Sequence, residues 1–307
     1  MKIAFLFPGQ GSQFPGMGKD LAENFAVARQ TMQEADDALG FSLSLLCYEG
    51  PEEDLKKTEN TQPALVATSI AAFRVLQELG APKPDFVAGH SLGEYSALVA
   101  AGSLNFADAL RLVKKRGQYM QEAVPAGVGA MAAILKLPEG ALDGILAQAA
   151  QGEVVTAANL NSPDQIVIAG HKAAVERAME LAKTAGAKRC VPLPVSAPFH
   201  CPLMHPAQQK LQVDLDATHF SDLQVPLVNN WQAKIVNTGS EARQGLFEQV
   251  PNSVRWVESV RLLEAEGVGQ SIEIGAGKVL CGLVKQITPN ISPVNFGVAA
   301  DRTQLQL

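Results

Sequence analysis

The feature that most constrains this chain is a Gly-x-Ser-x-Gly pattern between a short apolar run and a helical run. Residues 85–102 read DFVAGHSLGEYSALVAAG, and Gly89, Ser91 and Gly93 supply the pattern. Such a pattern fits a tight turn from a buried strand into a helix, which lifts a serine hydroxyl above the end of a parallel sheet. Ser91 is therefore a candidate nucleophile. The alternative is an ordinary serine in a glycine-rich turn.

Strand and helix patterns alternate on both sides of this turn. The apolar runs KIAFLF and PDFVAGH predict two buried strands. Residues 60–80 predict a helix with Pro63 in its first turn, and residues 105–124 predict another. The alternation predicts an α/β fold in which helices cover both faces of a parallel sheet.

The middle of the chain follows a different rhythm. Between residues 126 and 196 the predicted elements come in the order β-α-β-β-α-β, which is the ferredoxin-like pattern. We expect residues 126–196 to form a small inserted subdomain. Residues 1–125 and 197–307 would then form the catalytic domain around the larger sheet.

Composition and charge exclude several classes of protein. The chain has 307 residues, 47% of them hydrophobic, and its net charge of −6 without a basic block does not favour nucleic acid as a partner. Its four cysteines are far apart and form no CxxC, which is typical of reduced thiols. No apolar run approaches the ~20 residues of a membrane helix. We therefore expect a soluble, cytoplasmic protein without a membrane partner.

A serine nucleophile needs a base, and the chain has only five histidines. His200 follows the strand that leads back from the predicted subdomain, and a chain that re-enters an α/β domain often passes its ligand crevice. His205 and His219 remain rivals. His90 is adjacent to Ser91 in sequence, so its side chain should diverge from the hydroxyl. The spacing of histidine and cysteine after residue 199 matches no usual zinc pair, so we expect no metal.

Arg116 interrupts an apolar helix face. Leu112, Arg116 and Met120 are spaced by four residues and share that face. One interpretation is an arginine whose stem packs while its head reaches water. The other is a desolvated guanidinium that grips a carboxylate with two hydrogen bonds.

The loop FPGQGSQFPGMG, residues 7–18, matches neither the dinucleotide-binding pattern nor the P-loop. It predicts a tight turn after the first strand. Gln10 in this loop is either a hydrogen-bond donor to a ligand or a plain turn residue.

Together these motifs resemble the malonyl-CoA:acyl-carrier-protein transacylase family of bacterial fatty-acid synthesis. The matching segments run through nearly the whole chain: FPGQGSQ, TQPAL, GHSLGEYSALVAAG, KKRGQYMQ, GAMAAI, NSPDQIVIAGH, PLPVSAPFHCPLM, VNN and GAGKVL. The resemblance implies an α/β-hydrolase-like core with a ferredoxin-like subdomain. One departure is Ala276, where the family usually has proline, and we expect it to loosen a turn only.

The resemblance also implies a role for particular residues. It implies a malonyl-serine on Ser91, with His200 as base and Arg116 as the binder of the free malonyl carboxylate. It further implies that the backbone N–H groups of Gln10 and Leu92 bind the oxyanion and that the carbonyl of Gln249 orients His200. In the acyl pocket, the implied role of Met120 is to line the wall. Phe199 and Leu92 would favour malonyl over methylmalonyl groups.

The implied reaction is a ping-pong transfer from malonyl-CoA to the thiol of acyl carrier protein, with no cofactor or metal and with the enzyme as a monomer. Carriers in this family are small and acidic, so we expect Lys188 and Arg189 to help dock the carrier, with Lys114 and Lys115 as the competing patch. The alternatives are a serine thioesterase or esterase, a trans-acting polyketide acyltransferase, and a non-catalytic carrier-binding module.

Overall fold

The protein has ten strands and thirteen α-helices within residues 1–195 and 197–305, which a computed structural model describes. The strands are β1 (Lys2–Phe7), β2 (Phe86–Gly89), β3 (Gly129–Leu135), β4 (Val155–Ser162), β5 (Gln165–His171), β6 (Arg189–Pro192), β7 (Leu227–Val228), β8 (Ile235–Val236), β9 (Val268–Ile274) and β10 (Ser292–Phe296).

The first seven helices precede the small sheet, and the other six alternate with later strands. They are α1 (Lys19–Asn24), α2 (Ala26–Leu39), α3 (Leu43–Glu49), α4 (Glu52–Leu55), α5 (Thr58–Glu78), α6 (Gly93–Ala100), α7 (Phe106–Glu122), α8 (Leu142–Ala150), α9 (Lys172–Thr184), α10 (His205–Ala217), α11 (Gly239–Gln249), α12 (Trp256–Ala265) and α13 (Val279–Ile287).

The larger sheet has six strands in the order β10-β9-β1-β2-β7-β8, and every pairing except the last is parallel. Side chains of β1 alternate between its two faces. Phe5 and Phe7 pack in the main core with α2, α5 and α7, while Ala4 and Leu6 pack with α12 and α13. Helices therefore cover both faces, and the carboxyl ends of β1 and β2 meet at one edge of the sheet.

The smaller sheet is antiparallel, with the order β4-β5-β3-β6. Along the chain its elements run β3-α8-β4-β5-α9-β6, the order that the sequence predicts. Helices α8 and α9 pack on one face around Ile134 and Ile168, and Met131 and Val167 on the other face join the main core. The structure is thus a mixed α/β fold with a parallel sheet and a separate antiparallel sheet.

The predicted boundaries of the subdomain, residues 126 and 196, enclose all four of these strands. Ser196, the last residue of that range, lies outside the described residues, as do the last two residues of the catalytic range. The division into two domains remains a prediction.

Helix α5 differs from the expectation, because it begins at Thr58 and holds Pro63 inside it. The prediction that Pro63 lies in the first turn was wrong. Proline has no main-chain N–H, so the helix lacks one hydrogen bond at Pro63. Burial of most residues of α5 offsets this loss. Among the described residues, no helix has the length and the apolar character needed to cross a membrane.

Candidate active site

Ser91 lies in a strained turn between β2 and α6. Its φ of 51° is in the left-handed region, which is unusual for a residue with a side chain. The flanking glycines are required by close backbone approach: a Cβ at Gly89 would lie 2.0 Å from the carbonyl of Gly93, and a Cβ at Gly93 would lie 2.2 Å from the carbonyl oxygen of Phe7. The turn therefore presents the serine hydroxyl beyond the carboxyl end of the sheet, as the sequence pattern predicts.

His200 is the histidine that meets Ser91. Its Nε2 lies 2.7 Å from Ser91 Oγ, and its Nδ1 lies 2.9 Å from the main-chain oxygen of Gln249. Because a carbonyl oxygen can only accept, Nδ1 carries the proton, and Nε2 is left to accept from the serine hydroxyl. The same geometry brings together Ser91, His200 and Gln249, three residues from distant parts of the chain.

His200 is neutral at neutral pH in this site. Burial, together with the positive charge of Arg116, lowers the pKa of His200 to about 3. A neutral imidazole with a free Nε2 lone pair can take a proton from an adjacent hydroxyl.

Arg116 projects from α7 into the same site and is only 1% exposed. Its guanidinium donates to Gln62 Oε1 at 2.9 Å, Gln249 Oε1 at 2.9 Å and Ser91 Oγ at 3.1 Å. All three acceptors are neutral, and no carboxylate of the described chain pairs directly with this guanidinium. The arrangement excludes the snorkelling interpretation, because the charged head points inward, and it leaves a buried cation beside Ser91.

A small cavity of about 110 Å³ lies over these groups. A cavity of this size suits a short acyl group and is below the range of roughly 300–1,000 Å³ that drug-sized ligands occupy. Its walls are formed by thirteen residues, including Gln10, Leu92, Met120, Met131 and Phe199. Gln10, Leu92, Met120 and Phe199 are residues that the sequence predicts at the site. They therefore lie around the space that an acyl group on Ser91 would occupy.

The small cavity continues into a cleft of about 930 Å³ between the two sheets. Gln10, His90, Asn159, Leu193 and Val195 line both spaces. The cleft is of the size that holds extended ligands, roughly 300–1,000 Å³. A long substrate arm can thus reach Ser91 from the cleft.

The other histidines do not reach the serine hydroxyl. His90 Nε2 pairs with Asn161 Oδ1 at 2.8 Å, and its ring packs against Trp256. His205 and His219 contact Gln208 and Ser221, respectively, outside the cavity. Of the five histidines, His200 alone lies within hydrogen-bond distance of Ser91 Oγ in the described residues.

The predicted docking residues Lys188 and Arg189 are exposed at the start of β6. Arg189 pairs with Leu135 at the end of β3, and neither cation lines the small cavity or the cleft. Lys115 of the competing patch forms an ion pair with Asp214, and Lys114 lies 3.7 Å from Glu59. Within the described residues, no group of histidine, cysteine and acidic side chains has the arrangement of a metal site.

Sequence reasoning missed three polar residues that hold the site. Asn230 Oδ1 accepts from the main-chain N–H of Ser91 at 2.7 Å, and its Nδ2 donates to the oxygen of Gly89 at 2.7 Å. Gln62 accepts from Arg116, and Glu94 accepts from the side chain of Gln249. All three lie in segments of the matching motifs, TQPAL, GHSLGE and VNN, which were the only signal for them.

The chain is similar to known acyltransferases over nearly its whole length. A family model described as acyl transferase domain matches residues 4–282. The malonyl CoA-acyl carrier protein transacylase of Escherichia coli K12 is 51% identical over 291 residues, which cover 95% of this chain and 94% of that protein. The protein of the same name from Bacillus subtilis 168 is 52% identical over 294 residues, with 95% and 92% covered.

Two solved structures agree closely with the fold. An acyl carrier protein S-malonyltransferase from Vibrio cholerae superposes with a TM-score of 0.97 at 50% identity, covering 99% of this chain and 100% of that one. A malonyl-transacylase solved in complex with a type II PKS acyl-carrier protein gives a TM-score of 0.97 at 50% identity, with 99% of each chain covered.

Proposed function

Because the chain belongs to the acyl transferase family, we propose that it moves the malonyl group from malonyl-CoA to the phosphopantetheine thiol of acyl carrier protein. The reaction serves fatty-acid biosynthesis, and the enzyme is a malonyl-CoA:acyl-carrier-protein S-malonyltransferase. The observation that carries this proposal is the buried guanidinium of Arg116, 3.1 Å from Ser91 Oγ and bound only to neutral acceptors. A malonyl thioester supplies the missing carboxylate.

In the first half-reaction Ser91 Oγ attacks the thioester carbonyl while His200 Nε2 takes its proton. The tetrahedral oxyanion is held by the backbone N–H groups of Gln10 and Leu92, two residues that line the small cavity. The C–S bond then breaks, His200 returns the proton to the leaving sulfur, and CoA departs as a thiol. The serine is left as a malonyl ester.

In the second half-reaction the carrier thiol gives its proton to His200 and attacks the serine ester. The C–O bond to Ser91 breaks, and the serine regains its proton from His200. Throughout, the carbonyl of Gln249 keeps the Nδ1 proton of His200 in place, so Nε2 remains the atom that exchanges protons. No further reactant is consumed.

Arg116 links substrate recognition to the chemistry. Without substrate it donates to Ser91 Oγ, and its charge helps to lower the pKa of His200. A malonyl carboxylate that pairs with the guanidinium neutralises this charge, so the basicity of His200 rises when the correct acyl group is bound. An acetyl group lacks the carboxylate and leaves the buried cation unpaired.

Met120 and Phe199 complete the proposed acyl pocket. Met120 is 2% exposed and Phe199 is 8% exposed, and both line the small cavity with Leu92. Their bulk leaves little room for a branch on the acyl chain, which supports a preference for malonyl over methylmalonyl groups.

Further inferences follow from the family. We infer that the larger sheet with its serine turn is α/β-hydrolase-like, that the strand order of the small sheet is ferredoxin-like, and that residues 126–196 form a subdomain within the catalytic chain. A cytoplasmic site of action and carrier docking by Lys188 and Arg189 likewise remain proposals.

Mass spectrometry after incubation with malonyl-CoA tests the function. We expect a malonyl adduct on Ser91 that disappears when holo acyl carrier protein is added, with malonyl appearing on the carrier. Ser91→Ala should form no adduct. Release of free malonate at the rate of CoA formation would identify a thioesterase instead, and the absence of any reaction would identify a non-catalytic binding module.

A further inference from the structure

A buried carboxylate lies directly behind the site and has no part in the proposed chemistry. Glu94 is in the first turn of α6, three residues after Ser91, and is 0% exposed. Its Oε2 accepts from the main-chain N–H of Asn230 at 3.0 Å and from Gln249 Nε2 at 2.9 Å. Burial raises the pKa of Glu94 to about 7, so the fold maintains an acid here at an energetic cost.

The amide of Gln249 is held in one orientation by its neighbours. Its Nε2 faces three acceptors: Glu94 Oε2 at 2.9 Å, the main-chain oxygen of Ser91 at 3.0 Å and, at the longer distance of 3.4 Å, Asn230 Oδ1. Its Oε1 faces a donor, the guanidinium of Arg116 at 2.9 Å. A rotation of the amide by 180° would place NH₂ against the guanidinium and leave Glu94 facing an oxygen. The carboxylate therefore strongly favours the observed orientation.

Arg116 depends on that orientation, because Gln249 Oε1 is one of its three side-chain acceptors in the described chain. Its Nε has no partner there. If the amide were free to turn, Arg116 would lose an acceptor, and the direction in which the guanidinium points would be less well defined.

We propose that Glu94 is a positioning residue for malonyl selectivity, which acts by holding the Gln249 amide so that its oxygen fixes the guanidinium of Arg116 beside Ser91. The proposal rests on the proposed function, since it concerns how the same site recognises the acyl group. Glu94 touches neither Ser91 Oγ nor the small cavity, and its hydrogen-bonded path to Arg116 runs through Gln249. Its other hydrogen bond comes from the main-chain N–H of Asn230, whose Oδ1 holds the main chain of Ser91 and not the guanidinium.

The geometry offers a variant that keeps the hydrogen bonds and removes the charge. Glu94 Oε1 has no hydrogen-bond partner among the described residues. In Glu94→Gln the amide oxygen can take the place of Oε2 and accept from Asn230 and Gln249, while NH₂ takes the place of Oε1. Glu94→Ala removes both hydrogen bonds.

Glu273 provides a matched control. It is also a 0% exposed carboxylate, and it accepts from the main-chain N–H groups of Leu280 and Cys281, at 3.0 and 2.7 Å. It contacts neither Gln249 nor Arg116 in the described structure. Glu273→Ala therefore measures the cost of removing a buried carboxylate without touching the path from Glu94 to Arg116.

The experiment measures kcat/KM for loading of Ser91 from malonyl-CoA and from acetyl-CoA in the full-length enzyme. In Glu94→Ala we expect the malonyl-to-acetyl ratio to fall by about 10- to 100-fold, the effect of losing a hydrogen bond to a charged group. In Glu94→Gln we expect the ratio to stay within about threefold of the wild type. Glu273→Ala should leave the ratio unchanged even if the protein is less stable.

Two results would overturn the proposal. In the first, Glu94→Ala slows loading of both acyl groups equally, as a purely structural residue would. In the second, the malonyl-to-acetyl ratio falls as much in Glu94→Gln as in Glu94→Ala. The effect would then come from the charge of Glu94 and not from its hydrogen bond to the Gln249 amide.

If Glu94→Ala does not fold, Gln249→Met gives the same test, because it removes the amide and keeps the carbonyl that holds His200. We expect it to lower the malonyl-to-acetyl ratio by about 10-fold or more. An unchanged ratio would refute the proposal that the Gln249 amide fixes the guanidinium of Arg116. Failure of the proposed function is separate, since wild-type enzyme would then load no malonyl, or would release it as free malonate instead of passing it to the carrier.

Discussion

At the scale of single residues, the site is a set of neutral polar groups gathered around one buried cation. Gln249 connects them: its carbonyl holds His200, and its side chain contacts Arg116 and the backbone of Ser91. Arg116 consequently has a fixed position, but no carboxylate within the described residues pairs directly with it, and Glu94 reaches it only through Gln249. The proposed selectivity for an acyl group with a carboxylate rests on that charge balance.

Removal of the guanidinium should change selectivity more than it changes the fold. Arg116→Ala should lower kcat/KM for malonyl-CoA by about 10⁴-fold. Because acetyl-CoA has no carboxylate to pair with Arg116, its kcat/KM should rise relative to that of malonyl-CoA. Arg116→Lys should restore only part of the malonyl activity, because an ammonium cannot make the two-pronged contact. Steady-state kinetics with both substrates measures this, and an unchanged malonyl-to-acetyl ratio in the alanine variant would refute the assignment.

At the scale of secondary structure, the turn from β2 to α6 depends on the close contact between α6 and the end of β1. Gly93 is the first residue of α6, and it packs against the carbonyl groups of Phe7 and Pro8. Leu92 precedes Gly93 and Gln10 follows Pro8 by two residues, so this contact lies next to both proposed donors to the oxyanion.

Gly93→Ala should therefore impair both stability and catalysis. The added Cβ would lie 2.2 Å from a backbone oxygen that cannot rotate away, so the turn or β1 must shift. We expect a loss of about 1–3 kcal/mol in the free energy of unfolding and a fall in kcat. Urea unfolding and kinetics measure both.

Gly282→Ala in α13 is the control for this change, because nothing lies within 4 Å of its Cβ position. An alanine in an exposed helical position should stabilise the protein by about 0.5–1 kcal/mol. If Gly93→Ala and Gly282→Ala have the same effect on the free energy of unfolding and on kcat, the close contact at Gly93 has no role in the site.

At the scale of the whole molecule, two features connect the site with its surroundings: the buried histidine, which affects global stability, and the surface, which must receive a carrier. His200 is 4% exposed and stays neutral in the folded protein, whereas an unfolded chain protonates its histidines near pH 6.5.

His200 should make the protein less stable in acid. Its folded pKa, about 3, is below its ordinary value of 6.5, so between these pH values the unfolded state binds a proton that the folded state does not. The contribution of His200 to the free energy of unfolding is therefore fully present above pH 6.5 and decreases as the pH falls towards 3. His200→Asn should lose less stability than the wild type over this range. Parallel curves of unfolding free energy against pH for the two proteins would contradict the shift.

The carrier should be attracted to the exposed cations at the start of β6. Lys188 and Arg189 form no ion pair in the described residues, whereas Lys114 and Lys115 already face acidic partners. Reversal of Lys188 and Arg189 to glutamate should raise the KM for the carrier and flatten its salt dependence, while malonyl loading of Ser91 stays near normal.

The corresponding reversal of Lys114 and Lys115 serves as the comparison for this experiment. We expect it to change the carrier KM less, because those cations are partly neutralised in the fold. A Lys188 and Arg189 double reversal with wild-type KM at low salt would remove these residues from the docking surface.

Features that depend on local geometry could be predicted from the amino-acid sequence. The turn at Ser91 could be predicted because glycines at both flanks permit close backbone approach. The place of Arg116 on an apolar helix face could also be predicted, but only the structure showed that its guanidinium points inward and not to water. The α/β alternation and the β-α-β-β-α-β order of the small sheet were likewise predicted and are confirmed. These signals work because neighbouring residues alone set the backbone turn or the exposed face.

Only the tertiary structure decided which distant polar groups complete the site. His200 and Gln249 reach Ser91 across 109 and 158 residues of chain, and the residues alone left His205 and His219 as rivals to His200. Gln62, Glu94 and Asn230 were missed because a polar side chain has no sequence mark that tells a buried, fully bonded position from a solvated one. Their function comes from the donors and acceptors that the folded chain places around them.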